Sequence, residues 1–417
     1  MPPPVQQIRY RYDPVLGAAH AAGNTVHDNL KDSIVHKGAG IKRNRVDNNI
    51  LYIIYDRSVN RNFPPMSPPL RIAVVGSGIG ASHIEGFQQF PNLFDVKVIC
   101  DLNLQRAAEV AAKYRIQEVT GRFDQVCRRP DIDVLDICTP PNLHLDQIQS
   151  ALQAGKHVIC EKPLVASLAA VDSLSRLATE SGCSLMPIFQ YRFGHGLQKL
   201  KYLVDQKLTG EAFVFNVDVA WRRSREYYTN PWRGKLATEL GGALLSHAIH
   251  AVDMVLYILG PVKSVFGRVS TRVNPIEVED CAAISIEMSD GSLGTISVTL
   301  GSAAEISRHR FTFRNVTAES NTEPYGNSRE PWIFSFQGEE QQRKITEALN
   351  QFKPLPEGYA GQFYRFYKAL QDGIELPVTL ADARAALEIV AGTYYSSQTG
   401  VPVRFPIGPG HPKYESL

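Results

Sequence analysis

"RIAVVGSGIGASH", Arg71–His83, runs from an apolar stretch through three closely spaced glycines into a helix-like segment. Such a segment reads as a buried strand, a tight turn and a helix start. Glycines there let the backbone approach a pyrophosphate under the positive end of the helix dipole. The candidate phosphate-contacting residues are therefore Gly76, Gly78, Ile79 and Gly80. Ala81 holds the last fingerprint position, a replacement the pattern permits. A strand-helix turn with no ligand is the competing reading of this loop taken alone.

From Arg71 onward, short apolar runs alternate with amphipathic ones: "FDVKVICD", "LQRAAEVAAKY", "DVLDICTP", "LDQIQSALQAG", "HVICEKPL" and "CSLMPIFQYRF". That alternation predicts a parallel sheet covered by helices, closing near residue 190. Beyond it the period changes to two in "EAFVFNVDVAW", "SVFGRVSTRV", "DCAAISIEMSDGSLGTISVTL" and "HRFTFRNV", with Asp290-Gly291 as a hairpin turn. We therefore expect an α/β chain, with a nucleotide-binding doubly wound domain over 70–190 and a C-terminal α+β domain with a large open mixed or antiparallel sheet over 191–417. Thr317–Arg343, polar and poor in aliphatics, reads as a long loop. Residues 1–69, rich in Pro, Asn and Arg, read as a poorly ordered extension, and Met66 stands where a domain, and so a translation start, would fall.

Forty-four basic against forty-two acidic residues leave +2, which gives no reason to expect a nucleic-acid partner. No apolar run reaches the roughly 18 residues of a membrane span. The six cysteines contain no C-x-x-C pair, and several close apolar runs, so we expect reduced thiols, a cytoplasmic location and no metal. The partner that remains is a small molecule.

Ligands of open α/β sheets bind at the carboxyl ends of the strands. Asp101 ends "VKVICD", where a carboxylate accepts ribose hydroxyls and repels a ribose phosphate. This favours NAD, with NADP the alternative because Arg106 stands nearby; an N-cap is the bland role for Asp101. Thr139, Pro140, Asn142 and His144 leave the next strand as a proline-broken loop at the same edge, and Glu161 and Lys162 leave the one after. A solvated Glu161–Lys162 pair is the competing reading of that dipeptide.

The ordered series "VVGSGIGASH", "CTPPNLH", "ALQAGKHVICEKPL", "YRF", "PWRGK", "GGALLSHAIHAVD", "VED" and "HPKY" resembles the Gfo/Idh/MocA family, named after glucose-fructose oxidoreductase and inositol dehydrogenase, from Leu70 to the C-terminus. The resemblance implies a Rossmann domain, a C-terminal open-sheet domain and NAD(P)-dependent oxidation or reduction of a sugar, inositol or related polyol. It implies that Lys162 is the catalytic and cofactor-positioning lysine, that Pro163 follows a cis peptide, that Trp232 and Arg233 lie near the nicotinamide, and that His250 handles the substrate proton. It also implies homodimers or homotetramers built through the C-terminal sheet.

Ser246 stands where the family often has an aspartate. If Leu244–Gly260 is one helix, Ser246, His250 and Asp253 share a face, so Asp253 becomes the expected support for His250. Tyr191, Arg192, Ser246, His247 and Asp253 are the expected substrate contacts. Two rival functions are a non-catalytic NAD(P)-binding regulator of the same fold and an NADP-linked reductase of a non-sugar carbonyl.

Overall fold

Short buried strands with helices between them can satisfy their backbone only by pairing in parallel. The computed structural model describes residues 68–417 together with the backbone of Gln7–Arg9. β1 is Gln7–Arg9, and β2 to β7 are Leu70–Val75, Phe94–Cys100, Glu118–Thr120, Val134–Ile137, His157–Cys160 and Leu185–Pro187. β2 to β7 form a six-stranded parallel sheet in the order β4-β3-β2-β5-β6-β7. The order reverses between β2 and β5, and the crevice at their carboxyl ends is where such sheets take ligands.

The second sheet contains β8 (Ala212–Arg222), β9 (Val262–Ser270), β10 (Cys281–Met288), β11 (Leu293–Thr299), β12 (Gly301–Phe313), β13 (Val316–Glu319), β14 (Ile333–Phe336) and β15 (Val403–Arg404). With β1 it has nine strands in the order β1-β14-β13-β12-β8-β11-β10-β9-β15. Its pairs are antiparallel except β8 with β11. Alternating burial along β8 to β11 turns one face to the core and leaves the other open. The expected hairpin at Asp290-Gly291 is present, with Gly291 at φ +90°.

Two readings change. Thr317–Arg343 is not one loop: β13 and β14 pair within it, and a helix begins at Glu339. Of the extension over 1–69, Gln7–Arg9 pairs with β14 as an edge strand, whereas the rest up to Ser67, including the Met66 reading, lies outside the described residues. Among the described residues no single helix is long and apolar enough to cross a membrane.

The C-terminal helices close over both sheets. Helix Leu380–Thr399 starts with a Thr379–Asp382 capping box and stops at Gly400, φ +78°. Phe363 of helix Gly358–Asp372 stacks on Phe87 of helix Gly80–Gln88, centroids 4.0 Å apart. Past Gly400, the Tyr414 carbonyl accepts from the Ala169 amide at 3.0 Å and its hydroxyl donates to Asp172. The buried residues of both sheets form one hydrophobic cluster, which places the switch point beside the segments entering from the second sheet.

Candidate active site

β2 is buried along its last four positions, and its chain turns at Gly76, φ +101°. A Cβ there would lie 2.6 Å from the Cys138 carbonyl oxygen, and one on Gly80 would lie 2.7 Å from Val74 Cγ1. At Gly78, by contrast, nothing lies within 4 Å. The helix that follows has no side-chain cap, and although the Ala81 and Ser82 amides already donate to the Gly78 and Ile79 carbonyls, the positive end of its dipole faces the glycine turn where an anion would sit. This cradle fits the pyrophosphate of a dinucleotide, with Gly76, Gly78, Ile79 and Gly80 supplying backbone.

Asp101, 8% exposed, lies at the end of β3. Its Oδ2 accepts from the Ser77 amide at 2.7 Å, Ser77 Oγ at 2.6 Å and Arg106 Nη2 at 2.8 Å, while Oδ1 accepts only the Asn103 amide. A carboxylate offers about four acceptor sites, so Oδ1 keeps room for a ribose hydroxyl. Burial opposes ionisation, but the bonds from Ser77, Arg106 and Asn103 hold Asp101 below the usual carboxylate range. Asn103, not Asp101, caps the next helix. Arg106 is engaged by Asp101 and by Ser77 Oγ at 2.9 Å, an arrangement that suits NAD better than a phosphorylated ribose.

At the β5 exit, Pro141–Leu143 forms a single 3-10 turn; Pro140 just before it is half-buried and Asn142 within it is exposed. Thr139 Oγ1 donates to Gln147. His144 corrects the reading as a cofactor contact. It is fully buried, with Nδ1 2.9 Å from the Pro163 carbonyl and Nε2 2.9 Å from that of Thr139, so it clamps the two loops together. Burial lowers its pKa.

Glu161 is likewise turned inward. Its Oε1 receives Tyr359 Oη at 2.9 Å and faces His83 Nε2 at 3.1 Å, while Oε2 accepts the Lys162 amide at 2.9 Å. It supports the lysine from behind and is 5% exposed. The Lys162–Pro163 peptide is cis. Lys162 does not pair with Glu161 through its ammonium; Nζ reaches across the cleft and donates to the Ser246 carbonyl at 2.7 Å. Desolvation lowers its pKa, partly offset by Glu161 and aided by Arg233 and Arg223.

The expected single helix around Ser246 is broken. Ala243–Ser246 and Ile249–Leu259 are separate helices, with His247 and Ala248 between them. Ser246 Oγ donates to the Gly242 carbonyl and so accepts from His247 Nδ1, both at 2.8 Å. His247 Nε2 is thereby left as the acceptor for Tyr227 Oη at 3.2 Å. Ser246 therefore serves His247 rather than His250. Burial, then the charges of Lys162, Arg223 and Arg233, keeps His247 neutral with a pKa well below the usual value.

His250 stacks on Tyr191, centroids 4.5 Å apart and planes at 21°. Its Nδ1 is buried and has no protein partner. Burial and the nearby Lys162 charge depress its pKa to about 3. Asp253 does not support it. Arg192 Nε and Nη2 donate to Asp253 at 2.8 and 2.6 Å, and Nη2 also lies 2.9 Å from Asp382. Arg192 and Asp253, 4% and 0% exposed, are thus an internal strut in place of the expected substrate contacts.

Arg233 pairs with buried Glu239 at 2.7 Å and lies 3.7 Å above the Trp232 ring and 4.7 Å from that of Tyr227. The helix that follows, Leu236–Glu239, packs on the Pro141–Leu143 turn, which brings this loop to the β5 exit.

Sequence reasoning passed over His83, Asp136, Tyr359 and Glu279. Two signals were available: Asp136, a carboxylate inside the apolar strand "VLDI", and Glu279, which lies in the motif "VED". Glu279 takes the amides of Gly242 and Leu244, each at 2.9 Å, and so fixes the start of the helix bearing Ser246. His83, Asp136 and Cys138 come within 4.8 Å of one another, all buried, and their contacts are hydrogen bonds, with His83 Nδ1 2.9 Å from Asp136 and 3.4 Å from Cys138 Sγ.

Comparison with known proteins gives concordant matches. The family model for an oxidoreductase family with an NAD-binding Rossmann fold matches residues 70–189, and that for the GFO/IDH/MocA C-terminal domain matches 197–314. An uncharacterised oxidoreductase, YrbE, of Bacillus subtilis is 26% identical over 81% of this chain and 97% of its own length. The scyllo-inositol 2-dehydrogenase (NADP(+)) IolW of the same organism is 23% identical over 79% and 94%. Among solved structures, the WlbA dehydrogenase of Bordetella pertussis in complex with NADH and UDP-GlcNAcA superposes with a TM-score of 0.72 at 24% identity, covering 82% of this chain and all of that one.

Proposed function

The chain belongs to the Gfo/Idh/MocA family of NAD-binding oxidoreductases, and on that premise we propose that it moves a hydride between NAD and a hydroxyl-bearing carbon of a sugar, inositol or related polyol. Residues 70–190 serve as the nucleotide-binding half and 191–417 as the substrate half. Bound NAD supplies the hydride acceptor in oxidation and the donor in reduction. Gly76, Gly78, Ile79 and Gly80 would hold its pyrophosphate, Asp101 its adenosine ribose, and Thr139, Trp232 and Arg233 the nicotinamide end.

In oxidation the substrate C–H loses a hydride and its O–H a proton. His250 receives the proton; its low pKa keeps it in the accepting form. The Lys162 ammonium stabilises the developing alkoxide. Tyr191 holds the His250 ring in place by stacking. The observation that carries this reading is the Lys162 ammonium spanning from the β6 exit to the segment that bears His250.

The relatives include a levoglucosan dehydrogenase of Pseudarthrobacter phenanthrenivorans and a D-glucoside 3-dehydrogenase of Escherichia coli, which supports a polyhydroxylated substrate. Val214 and Leu293, paired neighbours on the open face of the second sheet and 42% and 55% exposed, support assembly of two or four copies through that face. All six cysteines are free thiols, which fits a reducing cytoplasm.

The test is a panel of polyols and keto-sugars assayed for NADH formation or consumption. Turnover that disappears in Lys162→Met and His250→Ala supports the proposal. Tight NADH binding with no turnover on any member would favour the regulator.

A further inference from the structure

Beneath the cofactor cradle lies a charged cluster that the reaction scheme leaves unused. His83, 0% exposed on helix Gly80–Gln88, stands between two carboxylates. Nδ1 is 2.9 and 3.0 Å from the two Asp136 oxygens, and Nε2 is 3.1 Å from Glu161 Oε1. Ionised carboxylates only accept hydrogen bonds, so both ring nitrogens must carry protons. Cys138 Sγ, 3.4 Å from Nδ1, and Tyr359, whose ring lies 4.4 Å from the imidazole, complete the enclosure.

We propose that His83 is a positioning residue for the reaction: held as an imidazolium between Asp136 and Glu161, it keeps Glu161 an anion that fixes the Lys162 backbone and sustains the charge of the Lys162 ammonium. The inference rests on the reading of Lys162 as the catalytic cation. Glu161 is the element that connects the two. One of its oxygens meets His83 and Tyr359, and the other receives the Lys162 amide. The shifts agree in direction: His83 lies well above the usual imidazole value despite desolvation, and Glu161 is pulled to about 2 against desolvation by His83.

Other charges face the same groups. Lys162 feels Glu161 and Glu239, which favour its charged form, and Arg233 and Arg223, which oppose it. Glu161 also faces His250. Losing the His83 charge leaves Asp136 and Glu161 unneutralised in the core, so Glu161 takes up a proton and Lys162 loses its nearest anion. The lysine pKa then falls.

The experiment compares pH profiles of kcat for the full chain with NAD and its best polyol. In His83→Gln, the alkaline limb should move to lower pH by about 0.5–1 unit, with KM for NAD changed less than threefold. Glu161→Gln should move it the same way, and the double variant should move it no further. Histidine-labelled NMR of the unmodified protein provides a check that needs no variant to fold: one imidazole should stay protonated from pH 6 to 9.

A His83→Gln profile superposable on the original, an additive double variant, or no protonated imidazole in that range overturns the inference. The parent reading fails separately, through Lys162→Met retaining its kcat.

Discussion

Lys162 Nζ and the Ser246 carbonyl, 2.7 Å apart, join the carboxyl edge of the parallel sheet to the segment that carries His247 and His250. An alkoxide forming beside Nζ would meet the ammonium directly. We expect Lys162→Met to lower kcat by about 100- to 1,000-fold, the range for loss of one oxyanion donor. Steady-state kinetics beside a thermal melt would separate this from unfolding, and a variant with near-normal kcat would remove Lys162 from the chemistry.

The alkaline side of the pH profile should belong to Lys162. Desolvation lowers its pKa, so the protonated form is lost, and activity with it, at a pH below that of a free lysine. Lys162→Arg should flatten this limb, because guanidinium stays charged throughout. His250, at about 3, should contribute no acid limb between pH 5 and 8. An acid limb there that vanishes in His250→Ala would contradict its burial.

Cofactor choice should turn on Asp101. In Asp101→Ser the ribose loses its acceptor and Arg106 loses its ion-pair partner, becoming available to a phosphate. NADH affinity should drop about tenfold or more, the value of one charge-assisted hydrogen bond, while NADPH affinity rises. Fluorescence titration with both nucleotides measures the pair, and unchanged selectivity would show that recognition lies elsewhere.

Arg192 and Asp253 should matter for folding rather than for substrate. Arg192→Ala strands the fully buried Asp253 and unpairs the partly exposed Asp382, and should cost about 3–5 kcal/mol. Denaturant titration reads this directly. A large KM increase with unchanged stability would restore Arg192 to the substrate site.

The features legible in the sequence are those set by local pattern. The period-two runs became strands of the second sheet, the glycine turn entered a helix at Gly80, and Lys162 emerged at a strand end. What escaped depends on partners distant in the chain. Arg192 looked like a ligand contact because nothing local reveals Asp253 sixty-one positions away. Tyr359 carried no signal, although it bonds Glu161 across 198 positions. The polar stretch after Thr317 hid two four-residue strands whose stability comes from neighbours in the sheet rather than from their own composition. His83 was quoted within the glycine motif, but only its geometry with Asp136 and Glu161 reveals its charge.

The break at His247–Ala248 has a bearing on engineering. In an uninterrupted helix the oxygen of residue 246 would accept the amide of residue 250; here it is left for an incoming ammonium. Substitutions that mend the helix would make a sturdier protein and a poorer catalyst, since the mended turn would aim that carbonyl along the helix axis and leave one lone pair, differently directed, for the cation. Selection for heat tolerance alone should therefore be read with an activity assay alongside, most of all for changes between Gly242 and Ile249.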